Sequence, residues 1–480
     1  MTAAMPTTQR TAQDWRQFVP GARATVVGGA RSGLAAATLL ARKGAEVFLT
    51  DNGPAPDGAT RQLKAATVGY EFDGHTDRAL EADVLVVSPG VPTTAPLVQS
   101  ALGQSIPVVS EIEVASWFCL GPIVAVTGSN GKTTTTTLLD HVFETANRAH
   151  VTAGNIGLAF SDVVDTMNES TVAILEVSSF QLDHIDTFRP RVAVELNVTP
   201  DHLDRYGNSV EAYAAAKFRL FENQRAGDVL VYNTDDPLVR EAAEAASSQG
   251  VSLLPLSIER QLEVGGFVRD GQLVLSLPSG PSPESSPLSV THDNLMPSSD
   301  LALRGRHNLY NSLASAVVAR AMEIRSDVVR ESMTSFEGVP HRLETVRTVG
   351  GVTFVNDSKA TNVNAVWYAL ESFADRDGRV VLIAGGKDKG NDYGPLKRLV
   401  EQTVSGIVAI GEGADTVERE LGPHTERTVH AATMEEAIQY AQLLTEPGDT
   451  VLLSPACASF DMFDNYEHRG DTFKRLVHAL

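Results

Sequence analysis

The stretch Gly121-Pro122-Ile123-Val124-Ala125-Val126-Thr127-Gly128-Ser129-Asn130-Gly131-Lys132-Thr133-Thr134 leaves this chain little freedom of fold: an apolar run enters a glycine-rich turn and leaves it as a threonine-rich helix start. A strand followed directly by a helix, repeated along the chain, gives a parallel sheet and an α/β protein. A turn whose backbone N–H groups curl inward, ahead of a helix N-terminus, is a cradle for phosphate. Gly128, Ser129, Asn130, Gly131, Lys132, Thr133 and Thr134 are therefore expected to hold ATP, with Lys132 reaching the β/γ-phosphates and the Thr133 hydroxyl on Mg²⁺. The spacing departs from the generic P-loop, since Val126 stands where the first glycine usually sits. An ordinary strand-turn-helix without a ligand is the competing reading.

With 480 residues the chain is too long for one core, and about three domains of ordinary size are expected. With one boundary just ahead of the phosphate-loop strand and another after Gly338, they are expected at 1–112, 113–338 and 339–480. A formal charge of −21 argues against nucleic acid or an anionic membrane as partner, because neutralising phosphates needs a basic face. Two cysteines, Cys119 and Cys457, make no disulfide framework and fit a reducing compartment. No segment approaches the ~20 apolar residues of a membrane helix, and Met1 to Asp14 lacks a signal-peptide core, so a cytoplasmic protein is expected.

The first domain opens with Ala24 to Ala35, a strand and a glycine turn containing Gly28, Gly29 and Gly33, then a helix and a second strand that ends in Asp51-Asn52. This is the order of a dinucleotide-binding, Rossmann-like half, although Ala30 replaces the middle glycine. Ala82 to Pro92 is another strand whose carboxyl end turns through Ser88-Pro89-Gly90, and ligands gather at such ends. Arg31, Ser32, Asp51, Asn52, Ser88 and Gly90 are accordingly candidate contacts for a nucleotide-like substrate; a βαβ unit that merely packs is the alternative.

Beyond the phosphate loop, a turn holds Asn155, and the run Val172 to Leu182 ends in Glu176-Val177-Ser178-Ser179-Phe180-Gln181. An acid at the end of a buried strand is costly unless paired or bound to a metal. A further strand delivers Asn197-Val198-Thr199-Pro200-Asp201-His202-Leu203-Asp204, and the helix after it carries Lys217, which by itself reads as an exposed lysine. The stretch around Leu277 to Pro287 is rich in Ser and Pro and reads as a surface loop without chemistry. The third domain repeats strands that end in polar loops: Asn356-Asp357-Ser358-Lys359-Ala360-Thr361-Asn362, Gly385 to Gly390, and Pro455 to Asp461. Cys457, set among small residues, reads as a packed thiol.

Together these motifs resemble the ATP-dependent Mur ligases of peptidoglycan synthesis, over nearly the whole chain except residues 1 to about 20 and the Ser/Pro loop. Ser-Ser-Phe-Gln-Leu, Asn-Asp-Ser-Lys-Ala-Thr-Asn and Ser-Pro-Ala-Cys-Ala-Ser are similar to the branch that adds D-glutamate. No Asp-Asn-Pro-Arg motif of the diaminopimelate-adding branch is found in the third domain. The resemblance implies three domains: Rossmann-like, P-loop ATPase with a parallel sheet, and a second Rossmann-like domain. It implies that Lys132, Glu176, His202 and Lys217 are catalytic. Thr133 and Glu176 would hold one Mg²⁺, and His202 a second, together with Lys217 as a CO₂-derived carbamate. Asn308, Arg342 and Asp357 would join the ATP site. Asn155, Ser178 and Gln181 would complete the site for UDP-N-acetylmuramoyl-L-alanine, and Lys359, Thr361, Lys389, Ser459 and Tyr466 would bind D-glutamate. Helix capping is the alternative role for Asn308. The enzyme is expected to act as a monomer whose domains close over the substrates.

Two other functions remain open on the residues alone. A folylpolyglutamate synthase also joins glutamate to a carboxylate, but the nucleotide-like first domain and Ser-Ser-Phe-Gln-Leu speak against it. A non-catalytic nucleotide-binding regulator would have lost one of Lys132, Glu176, His202 and Lys217, and all four are present.

Overall fold

The structure is a computed structural model that describes residues 11–278, 290–374, 378–388 and 390–480. The chain forms two compact units, one from Met1–Asp300 with Tyr310–Ser335 and the other from Leu301–Leu309 with Phe336–Leu480.

The first unit contains two sheets. One has five parallel strands in the order Gly69–Glu71, Glu46–Thr50, Arg23–Val27, Val84–Val87, Val108–Ser110. Its central strands are Val- and Ala-rich because helices cover both faces. Gly33 lets the helix Arg31–Arg42 lie against the end of the strand Arg23–Val27: a Cβ there would stand 1.8 Å from the Gly28 carbonyl oxygen. The short helix Ala12–Phe18, opened by a Thr11/Asp14 capping box, belongs to this core. Its Trp15 is fully buried, stacked on Trp117 at 4.4 Å, and donates to Asp186 at 2.9 Å. Glu113, buried in the helix Glu111–Phe118, accepts from the backbone of Asp186, Thr187 and Phe188 and from the Trp117 indole, so the helix that leads to the second sheet is pinned to it.

The second sheet has nine strands in the order Val290–Pro297, Gln272–Pro278, Gly265–Arg269, Ser252–Ser257, Val229–Asn233, Val192–Glu195, Ile123–Thr127, Val172–Glu176, His150–Gly154. Seven are parallel, and the first two add an antiparallel edge. The parallel sheet expected for this domain is present, and the antiparallel edge is an addition to it. Leu277 and Pro278, read from composition as loop, end a strand and pair with Thr291 and Val290; residues 279–289 lie outside the described residues. The phosphate-loop strand Ile123–Thr127 sits between the strands that end in Glu176 and Glu195, so both acids and the loop share one edge.

The second unit is built on a six-stranded sheet: Glu344–Val349, Val352–Asn356, Thr450–Leu453, Val380–Gly385, Val404–Ile410, Arg427–Ala431. Only the first pair is antiparallel. The three polar loops singled out in the sequence follow three adjacent parallel strands, and thus form one rim.

Candidate active site

Gly131, in the left-handed region at φ +87°, ends the phosphate loop and caps the helix Lys132–Thr145, whose first-turn amides have no side-chain cap. A Cβ on Gly131 would meet the Asn311 Oδ1 at 2.3 Å, so only glycine fits. The loop is clamped from the next strand. Asn197 accepts from the Asn130 amide at 2.9 Å and donates to the Asn130 carbonyl at 3.0 Å, while Ser129 Oγ donates to the Thr199 carbonyl at 2.8 Å. Lys132 Nζ donates to the carbonyls of Gly128 (2.7 Å) and Ser129 (2.8 Å), folding the ammonium onto the loop that would carry phosphate. Thr133 and Thr134 are buried behind it.

Lys217 corrects the reading of an exposed lysine. It is 1% exposed and donates to the same Gly128 carbonyl at 2.9 Å, with its ammonium 4.7 Å from the Tyr213 ring. Burial, and then the Lys132 ammonium, push its amine well below the usual lysine range. Glu176, 2% exposed, accepts from Asn155 Nδ2 at 2.8 Å through Oε1, and its Oε2 has no partner. His202 stands at positive φ before the turn Leu203–Tyr206, beside Asp201 and the Phe180 ring, with 44% of its side chain exposed. Among the described residues no three His, Cys, Asp or Glu side chains converge as a ready-made metal site. Mg²⁺ does not need one: it takes one or two carboxylates and fills its shell with water and phosphate oxygens. The orphaned Glu176 oxygen beside the loop fits that demand.

The expected substrate contacts around the first sheet divide. Ser88 donates to the Gly28 carbonyl at 3.2 Å, and Asp51 accepts from the amides of Gly29 and Gly53, so both already brace the glycine turn. Arg31 donates to the Gly157 carbonyl; Asn52 and Gly90 are exposed. Ser178 and Gln181 form the capping box of the helix Ser179–Leu182. Arg205 joins the two rims, donating to the carbonyls of Pro89 (2.8 Å) and Val91 (2.6 Å) while lying 4.1 Å over the Phe180 ring.

In the second unit Lys359 Nζ lies 3.2 Å from the Tyr466 hydroxyl, which brings two expected D-glutamate contacts together. Ser459 is buried, Thr361 is exposed, and Lys389 lies outside the described residues. Asp357 accepts from Ser454 Oγ at 2.7 Å and from the Leu343 amide; burial lifts its carboxyl to about 6, with Arg342 opposing. Asn308 sits inside the helix Arg306–Ala321 and donates back to the Arg304 carbonyl at 2.7 Å, so it is not the residue that precedes the helix. Cys457 is buried against the Tyr393 hydroxyl and its thiol is pushed up to about 11, which suits packing and not attack.

Three family models match successive parts of the chain: the Mur ligase MurD-like N-terminal domain over residues 22–110, the Mur ligase middle domain over 126–319, and the Mur ligase glutamate ligase domain over 341–457. The UDP-N-acetylmuramoylalanine–D-glutamate ligase of Salinibacter ruber is 59% identical over 95% of this chain and 98% of its own. The chain belongs to the Mur ligase family. A second relative, the enzyme of the same name from Chloroherpeton thalassium, is 44% identical over 96% of this chain and 99% of its own. Two solved Mur ligases share the fold. They are the UDP-N-acetylmuramate–alanine ligase of Thermotoga maritima (TM-score 0.56, 16% identity, 95% and 99% of the two chains) and the MurF ligase of the same organism in complex with ADP (0.57, 17%, 99% and 100%).

Within this Mur ligase, sequence reasoning passed over several residues that build the site. Asn197 and Thr199 were legible only as parts of a motif. Arg469, 2% exposed, donates to Ser358 Oγ (3.0 Å), the Ser358 carbonyl (2.8 Å) and the Cys457 carbonyl (3.1 Å), stapling two of the rim loops. Glu195 also closes its strand as a buried acid, and the acid in Val-Ala-Val-Glu-Leu is the signal that could have found it.

Proposed function

We infer that this Mur ligase joins D-glutamate to UDP-N-acetylmuramoyl-L-alanine, consuming ATP and releasing ADP and phosphate, in the synthesis of peptidoglycan precursors. The choice of substrates is supported by the relatives' names. The chemistry is supported by one observation: the phosphate loop, the orphaned Glu176 oxygen and the buried Lys217 amine meet at a single sheet edge.

A carboxylate resists an amine until one of its oxygens becomes a good leaving group. In the reaction read here, a carboxylate oxygen of the L-alanyl substrate attacks the γ-phosphorus, ADP departs, and an acyl phosphate forms. The D-glutamate amine then adds to the carbonyl carbon, and the tetrahedral intermediate expels phosphate and loses a proton to water, leaving the amide. Lys132 turns from the loop carbonyls to the transferred phosphoryl, and the uncapped amides of its helix hold the remaining phosphates. Thr133, Glu176 and His202 would hold Mg²⁺, which when bound offsets charge on the phosphoryl oxygens.

Lys217 is read as a carbamate. Its neutral amine adds to CO₂ and loses one proton to solvent, which leaves one N–H and a new carboxylate where an ammonium would repel cations. Burial supports this by bringing the neutral amine within reach near neutral pH. Asn308, Arg342 and Asp357 complete the ATP site. Lys359, Thr361, Lys389, Ser459 and Tyr466 receive D-glutamate, and Arg31, Ser32, Asp51, Asn52, Ser88, Gly90, Asn155, Ser178 and Gln181 receive the UDP-sugar. Domains at 1–112, 113–338 and 339–480, acting as a cytoplasmic monomer, complete the reading.

Phosphate release with ATP and Mg²⁺, measured over a panel of acid acceptors and amino acids, tests it. Turnover is expected only with UDP-N-acetylmuramoyl-L-alanine and D-glutamate together; turnover with a pteroate acceptor instead would overturn it.

A further inference from the structure

Glu195 is fully buried at the carboxyl end of the strand Val192–Glu195, level with Thr127 at the mouth of the phosphate loop, and neither of its oxygens has a hydrogen-bond partner. Taking a carboxyl group out of water with nothing donating to it is costly. The same strand is otherwise Val192, Ala193 and Val194, all at most 1% exposed, so an apolar side chain would suit the packing. Thr127, its partner across the ladder, precedes Gly128, whose carbonyl accepts from Lys217, so the Glu195 carboxyl and the Lys217 amine are both held at this strand end. Lys217 Nζ reaches the Gly128 carbonyl and leaves its other N–H directions to whatever stands beside it.

We propose that Glu195 is a positioning residue for Lys217: once CO₂ has added, the one N–H that remains on the lysine nitrogen leaves the Gly128 carbonyl and is accepted by a Glu195 carboxyl oxygen. Such a bond fixes rotation about the Cε–Nζ bond and so fixes where the new carboxylate points. A carbamate on a free four-carbon arm would sample many directions; one tethered at its nitrogen holds its oxygens ready for a cation before ATP arrives. Glu195 touches neither substrate nor phosphate in this role. The inference rests on the reading of Lys217 as a carbamate.

The test uses the full-length enzyme equilibrated with ¹³C-bicarbonate, followed by ¹³C NMR of the carbamate carbon and by steady-state kinetics. Wild type should show one carbamate resonance that is missing from Lys217→Ala; its absence from wild type would overturn the carbamate itself and not only the role of Glu195. Glu195→Met, of similar length but without an acceptor, should melt no lower than wild type, lose or broaden the resonance, and lower kcat about tenfold or more with the KM for ATP unchanged. Glu195→Gln keeps one acceptor oxygen and should stay within about threefold of wild type in kcat and retain the resonance. A Met variant with wild-type resonance and kcat overturns the proposal. If that variant does not fold, Gln decides: a folded Glu195→Gln lacking the resonance would show that charge and not an acceptor is required, and overturn it equally.

Discussion

A buried lysine ammonium that shares a carbonyl oxygen with a second, half-buried lysine is an arrangement that folding alone would avoid. Lys132 and Lys217 do this at Gly128, 2.7 and 2.9 Å from its oxygen. The arrangement makes sense once one of them is to lose its positive charge to a carbamate and the other is to turn toward phosphate. Lys217→Ala should accordingly abolish ligase activity, and short carboxylic acids such as formate or acetate, diffusing into the space, should restore part of it; a fully active Lys217→Ala would remove the carbamate. At this scale the sequence was legible where a residue's type carried the chemistry. Lys132, Thr133 and Glu176 could be placed because a glycine turn and a strand end say where such groups stand. The burial of Lys217 could not, because in Tyr213-Ala214-Ala215-Ala216-Lys217 small residues lie on every side, and which face is covered depends on the phosphate-loop strand far away in the chain.

Elements succeeded where local pattern decided them. The strand-turn-helix units around Gly28 and Gly131 carry their own signals, while the antiparallel edge at Gln272–Pro278 and Val290–Pro297 depends on pairing that composition does not report. The helix Ala12–Phe18, outside the stretch that resembled a family, proves to be core because Trp15 finds Trp117. Two tests belong here. Glu111 opens the helix Glu111–Phe118 and is fully buried; burial raises its carboxyl from 4.5 to about 7, although the Ser161 amide donates to it at 2.6 Å. The folded protein therefore holds a proton between pH 4.5 and about 7 that the unfolded chain has released, so this group's contribution is present below pH 4.5 and is lost as pH rises through about 7. Glu111→Gln removes that loss. The melting temperature of the variant minus that of wild type should rise from pH 5 to pH 8; a flat difference would contradict the burial argument. Arg469→Lys keeps a charge but cannot serve three acceptors in a fork. It should raise the KM for D-glutamate about tenfold and leave the KM for the UDP-substrate unchanged, as initial rates would reveal.

Over the whole molecule the formal charge is −21, so anionic substrates must be met by local donors: the phosphate loop, the helix start after it, and the Lys359 rim. Among the described residues no helix is long and apolar enough to cross a membrane. A ligand that binds only folded protein stabilises it by about 2.7 kcal/mol at a hundredfold excess over Kd. ATP with Mg²⁺ should therefore raise the melting temperature of wild type in calorimetry, and Lys132→Ala should lose most of that shift; an undiminished shift would place the nucleotide elsewhere. The most direct measurement follows an oxygen atom. With ¹⁸O in the carboxylate of UDP-N-acetylmuramoyl-L-alanine, activation through an acyl phosphate sends one labelled oxygen into each phosphate released as the D-glutamyl amide forms. Phosphate carrying one ¹⁸O is the expected result, and amide formed with unlabelled phosphate would contradict it.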